Sequence, residues 1–79
     1  MEREIDQVVR EEILGRALKA ELARLGHRVQ LSTYLRGGRT ETILIVDGKI
    51  KRLDLLACAP ESMDGWEPYI RNLALVCGA

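Results

Sequence analysis

No sign of charge predominates in this chain: twelve basic side chains face twelve acidic ones, for a formal net charge of zero. No long-range field therefore draws it to DNA, RNA or an anionic membrane, and any such partner has to be held by a local patch. Long apolar runs are also missing; nothing approaches the roughly 18 residues a membrane-spanning helix needs. The opening Met-Glu-Arg-Glu is charged and unlike a secretory leader, so the expected address is the cytosol and no membrane partner is expected. Cysteine is scarce. Cys58 and Cys77 form no Cys-x-x-Cys pair, and a single histidine, His27, is present to complete a metal site, so no metal or other cofactor is expected. In a reducing compartment the two cysteines read as buried free thiols.

Catalytic signatures are absent as well. The chain has no Gly-x-Gly-x-x-Gly or Gly-x-x-x-x-Gly-Lys-Ser/Thr loop for a nucleotide, and no nucleophile with a base at recognisable spacing. His27 follows a helix-ending glycine without an acidic or thiol neighbour in sequence and reads as a helix-end histidine favoured by the dipole. Ser32 and Thr33 read as ordinary strand residues. The expectation is a protein that is not an enzyme.

What is present is a foldable domain. Apolar residues make up 47% and charged residues 30% of 79 residues, a balance of globular proteins. Residues 1–79 form one domain, and a chain this short buries only about 60% of the surface it exposes when unfolded. It is marginal alone, and a second subunit relieves that.

The spacing predicts a helix from about Arg3 to Leu25, rich in Ala, Leu, Glu and Arg and closed by Gly26. Glu4, Asp6, Glu11 and Glu12 crowd its start, and Arg24 and Arg28 its end, complementing the macrodipole. From Arg28 to Leu35 apolar and polar residues alternate as in a half-buried strand. Gly37-Gly38 supplies a hairpin turn, and Thr42 to Val46 is apolar after the threonine, as in a central strand covered on both faces. Asp47-Gly48 marks a second hairpin, followed by a third strand from about Lys49 to Cys58. Pro60 ends the sheet. Either Ser62 or Asp64 is placed to cap a last helix with Ile70, Leu73, Ala74 and Cys77 on one stripe; a short strand through Leu73–Cys77 competes for residues 67–77. The fold class is α+β: helix, three-stranded antiparallel meander, C-terminal helix (αβββα).

Two features ask for more surface than one chain supplies. On the first helix Ile5, Val8, Val9 and Ile13 share one arc, whereas Leu14, Leu18, Leu22 and Leu25 share another roughly opposite, at about 100° per residue. Either the helix bends at Gly15, where the stripes exchange, or its first half packs against a partner. We expect the partner: a homodimer through the N-terminal helix, the sheet face, or both, helix-swapped or not. The central strand adds to this demand. Whichever of the Ile43/Ile45 and Leu44/Val46 pairs faces the helices, the other needs cover.

The order helix, three strands, helix resembles the double-stranded RNA-binding domain over nearly the whole chain, at the level of architecture. That family grips phosphates with lysines at the start of its second helix, where this chain has Glu61, Asp64 and Glu67. Arg36 and Arg39 in one hairpin and Lys49, Lys51 and Arg52 near the other are expected at opposite ends of the sheet. There they read as solvated hairpin ends; Arg36, Arg39, Lys51 and Arg52 are the candidate nucleic-acid contacts. Glu12 or Glu21 with Asp47-Gly48-Lys49 looks distantly similar to the PD-(D/E)xK nuclease core. The strand before that motif offers Ser32 and Thr33 instead of the metal-binding aspartate, which implies a degenerate, inactive copy.

Trp66 is the only tryptophan in a chain without phenylalanine and sits among Asp64, Gly65, Glu67 and Pro68. It reads either as a lid on the core or as an exposed interface anchor. Together the residues point to a non-enzymatic protein-interaction module, a regulator, inhibitor or adaptor, with Ile5, Val8, Val9, Ile13 and Trp66 at its interfaces. The alternative is a nucleic-acid-associated protein with one of the two architectures above.

Overall fold

The computed structural model describes the backbone of residues 2–78 and the side chains of residues 7–62 and 64–78. Helix α1 spans Glu2–Arg24, β1 Val29–Arg36, β2 Arg39–Val46, β3 Lys49–Leu53, α2 Leu55–Cys58 and α3 Trp66–Cys77, with a single 3-10 turn at Met63–Gly65 before α3. The three strands form an antiparallel sheet in the order β1-β2-β3. Helix, three strands, helix is thus the observed α+β architecture, with the short α2 inserted.

The turns follow local chemistry. Gly26, at φ 95°, lets α1 close with two backbone bonds of 3.0 Å, from Gly26 N to Ala23 O and from His27 N to Leu22 O, the paired bonds of a glycine-ended helix. Asp47 and Gly48 both have positive φ, 51° and 85°, as a two-residue hairpin turn matched to strand twist requires.

The helices lie on one side of the sheet. On β2 every second residue, Thr40, Thr42, Leu44 and Val46, is buried against them. The core joins Leu44 and Val46 to Leu14, Leu18 and Leu22 of α1, Leu55 of α2, and Ile70, Ala74 and Cys77 of α3. The result is a slab with extents of 37 × 27 × 15 Å, thick enough for one sheet and one helical layer.

Several expectations are corrected. The third strand stops at Leu53 and does not reach Cys58. The amide hydrogens that a continuing strand would give to a neighbour go to carboxylates: Asp54 accepts Ala57 N at 3.2 Å, and Glu11 accepts Leu55 N at 2.9 Å and Leu56 N at 3.0 Å. Glu11, expected only as one of the acidic residues complementing the dipole at the helix start, is fully buried and also accepts the hydroxyls of Thr42 at 2.7 Å and Thr40 at 3.3 Å. Residues 67–77 are helix, the expected assignment, and not the competing strand, because Ile70, Ala74 and Cys77 at spacings of four and three reach the core together. Neither Ser62 nor Asp64 caps that helix. Its N-cap is Gly65 without a side-chain bond, and Ser62 Oγ instead accepts Asp64 N at 3.3 Å in the preceding turn.

Gly15 does not interrupt α1. A Cβ there would lie 3.2 Å from both δ carbons of Leu31, so the missing side chain brings α1 down onto β1. Cys77 is buried and Cys58 is exposed, both free, so only one of the two expected buried thiols is buried. Burial pushes the Cys77 thiol above its ordinary range, partly offset by the charge of Lys51.

Candidate functional site

The register fixes which side chains share the face away from the helices. Gln30, Ile45 and Ile50 stand side by side on one rung, Ser32, Ile43 and Arg52 on the next, then Tyr34 beside Glu41, then Arg36 beside Arg39. Successive side chains of a strand alternate faces, so all of these point away from Leu44 and Val46. Ile43 and Ile45 are half-buried by their neighbours, Ile50 is 68% exposed, and none of the three packs into the core. The pair left outside on the central strand is therefore Ile43/Ile45. The face grades along the strands: Ile45 and Ile50 toward the Asp47-Gly48 hairpin, Arg36 and Arg39 toward the Gly37-Gly38 hairpin, with Arg52 beside Ile43 between them.

The arginine end is concave. β3 ends opposite Thr42 while β2 runs on to Arg39, which leaves a notch of about 280 Å³ lined by Arg36, Arg39, Glu41, Arg52 and Asp54, among others. The expectation that Arg52 lies at the other end of the sheet from Arg36 and Arg39 is corrected. Running antiparallel to β2, β3 carries Arg52 back toward the first hairpin, three residues past Lys49. Lys51 does not join this group; it pairs across from Leu44 and so belongs to the helix-covered face. Within the notch Arg36 Nη1 lies 3.9 Å from Glu41 Oε2, too long for a hydrogen bond. Arg39 and Arg52 form no ion pair among the described residues.

A second uncovered surface lies on α1. Leu14, Leu18 and Leu22 point into the core, whereas Val9 and Ile13, on the opposite arc, are each 46% exposed. Val8 is half-buried, and the side chain of Ile5 lies outside the described residues. Gln7, Val9 and Arg10 are exposed, so the first buried side chain along the described part of α1 is Glu11. Beside the stripe, Arg16 Nη2 donates to Glu12 Oε1 at 2.6 Å.

Trp66 is half-buried against the core, and its Nε1–H donates to Pro60 O at 3.0 Å. The ring forms one wall of a groove of about 310 Å³ between α1 and α3, together with Leu14, Ala17 and Ile70. Its place is that of a lid, with one side open to the groove.

His27 has a carboxylate neighbour that sequence distance conceals. Its Nδ1–H donates to Asp47 Oδ2 at 2.6 Å, while Asp47 Oδ1 accepts Arg28 N at 2.9 Å. The Arg28 amide first, and the His27 ring second, hold the Asp47 carboxyl below its usual range. The other ring nitrogen, Nε2, faces Gly78, where a Cβ would approach it to 2.6 Å. The pair clasps the end of α1, the second hairpin and the end of α3. Asp47 is thereby occupied as a turn and clasp residue, and no group of three or more His, Cys, Asp or Glu side chains able to hold a metal forms among the described residues. Nor is any helix, among those residues, long and apolar enough to cross a membrane.

Sequence reasoning missed Glu11 and the His27–Asp47 pair. A signal existed for the first: Glu11 stands three residues before Leu14, in step with the buried stripe Leu14, Leu18 and Leu22. No protein-family model matches this chain, and neither the curated proteins nor the solved structures provide a match.

Proposed function

We propose that this chain is a small, cytosolic, non-enzymatic protein-interaction module, a regulator, inhibitor or adaptor that holds another macromolecule and pairs with a second copy of itself through α1. The observation that carries the reading is the one-sided packing. All helical cover lies on one face of the sheet, and Ile43, Ile45 and Ile50 remain outside the core on the other. Asp47, the carboxylate of the nuclease-like motif, is engaged by His27 and Arg28, and Glu11 holds four donors of the fold.

The α1 stripe suits a second copy. Val8, Val9 and Ile13 lie on a helix already formed, so pairing orders little additional chain. At about 1 kcal/mol for each partly exposed aliphatic side chain, three per subunit give about 6 kcal/mol across a two-fold contact. That is near the lower end of the cost of association, so the dimer is weak and concentration-dependent. Sedimentation velocity over a range of concentrations tests it. The wild type is expected to move from one to two subunits as concentration rises, and the double variant Val9→Asp, Ile13→Asp to remain a single subunit with an unchanged circular dichroism spectrum. A wild type that stays monomeric at the highest concentration contradicts the homodimer.

A further inference from the structure

Resting on the reading of an interaction module, we infer that the open sheet face binds a protein segment that is apolar at one end and carboxylate-rich at the other. The isoleucines lie over the cradle of its apolar half and the guanidinium groups of Arg39 and Arg52 take its carboxylates. The face and such a segment are complementary along a single axis. Ile45 and Ile50 share one rung and Ile43 the next, a continuous apolar patch toward the second hairpin. Arg52 stands beside Ile43 on that second rung and Arg36 and Arg39 two rungs further on, and all three line the notch beyond the end of β3. Glu41 lies beside Arg36, and the Asp54 carboxylate accepts an amide of α2, which leaves Arg39 and Arg52 as the cations without a partner among the described residues. A guanidinium presents its donors in a planar fork that fits a carboxylate.

Other occupants match less of the face. A second copy brings the same residues. With the isoleucine ends of two copies in contact, the arginine ends project beyond the contact, and with both ends superposed arginine meets arginine. Nucleic acid would satisfy the arginines and leave the isoleucines against a charged backbone, with Tyr34 as the one aromatic ring on the face available for stacking. A segment with adjoining apolar and acidic halves satisfies both ends at once.

The test is a nuclear magnetic resonance titration of the isotope-labelled full chain with a synthetic, terminally blocked peptide whose first half alternates valine and leucine and whose second half is glutamate. Parallel titrations use the same peptide with lysine in place of glutamate, a short single-stranded RNA, and inorganic phosphate. Shifts are expected from the glutamate peptide and to be confined to the rungs between Arg39 and Ile50. Replacing Arg39→Glu and Arg52→Glu is expected to weaken its Kd by at least about tenfold, as for removal of paired charges at an interface. Ile50→Asp, at a position outside the core, is expected to abolish the shifts without unfolding the chain. The proposal is overturned by an absence of shifts, by equal binding of the lysine peptide, or by tighter binding of the RNA to the same rungs. Repeating the titration on the Val9→Asp, Ile13→Asp variant separates the two readings, because peptide binding to that variant survives whether or not α1 mediates a dimer.

Discussion

Glu11 Oε2 accepts the hydroxyl of Thr42 at 2.7 Å, joining the middle of the first helix to the centre of the sheet. The same carboxylate supplies the acceptor for the two leading amides of α2, at Leu55 and Leu56, so one buried side chain sets where β3 stops and α2 starts. A buried carboxylate is tolerable only because four donors surround it. Replacing Glu11→Gln puts an amide group where one oxygen accepts, and hydrogen bonds to a charged group are worth about 1.5–3 kcal/mol. We expect a loss of about 2–3 kcal/mol in urea unfolding and a fall in Tm of roughly 10–20 °C. Unchanged stability would show that the carboxylate does not anchor α2.

Much of the fold is legible in the sequence because its signals are local. Gly37-Gly38 and Asp47-Gly48 mark two-residue turns and with them the strand order, whereas which face of β2 meets the helices is decided only by the packing. The α1 stripe of Leu14, Leu18 and Leu22 is equally plain. The errors arise where a distant side chain overrides a local preference. Leu55-Leu56-Ala57-Cys58 reads as strand until the Glu11 carboxylate, more than forty residues away along the chain, takes its amides. Arg52 reads with Lys49 and Lys51 as part of the second hairpin, whereas the antiparallel course of β3 carries it to a place opposite Ile43, at the notch left where β3 stops. His27 and Asp47 are twenty positions apart and meet only because the α1 end and the second hairpin share one edge of the slab.

The sidedness of the sheet makes a direct contrast between Leu44 on β2 and Ile50 on β3. Leu44 is fully buried, so Leu44→Ala is expected to cost about 2–5 kcal/mol, as large-to-small changes in a core do. Ile50 stands on the other face at 68% exposure, and Ile50→Ala is expected to cost less than about 1 kcal/mol. Comparable losses for both, measured by the same denaturant series, would mean that the open face is covered within one chain.

Asp47 gives the protein an acid-sensitive clasp. Its folded pKa lies below the unfolded value, through the Arg28 amide and then the His27 ring. The stabilisation it provides is therefore complete above the unfolded carboxylate value, near 4, and is lost as pH falls through the lower folded value. Asp47→Asn keeps a residue tolerant of positive φ and removes the charge. The variant is expected to show a shallower loss of Tm on acidification than the wild type; parallel curves would remove Asp47 from the account.

The two thiols differ in access. Cys58 is exposed and Cys77 buried, with its pKa pushed up by burial. A thiol reagent is expected to modify Cys58 quickly in the native state and Cys77 only at the rate of opening, so that Cys58→Ser leaves a native protein nearly inert to the reagent. Rapid modification of both would contradict the packing of α3.

The central claim is that apolar side chains left outside this core are contact surfaces, with the α1 stripe reserved for a second copy. Isotope-filtered nuclear Overhauser spectra on an equal mixture of labelled and unlabelled chains at high concentration read such contacts directly. The account predicts cross-peaks between copies from the methyl groups of Val9 and Ile13. Cross-peaks only from Ile43, Ile45 and Ile50, or none from any methyl group, would contradict it.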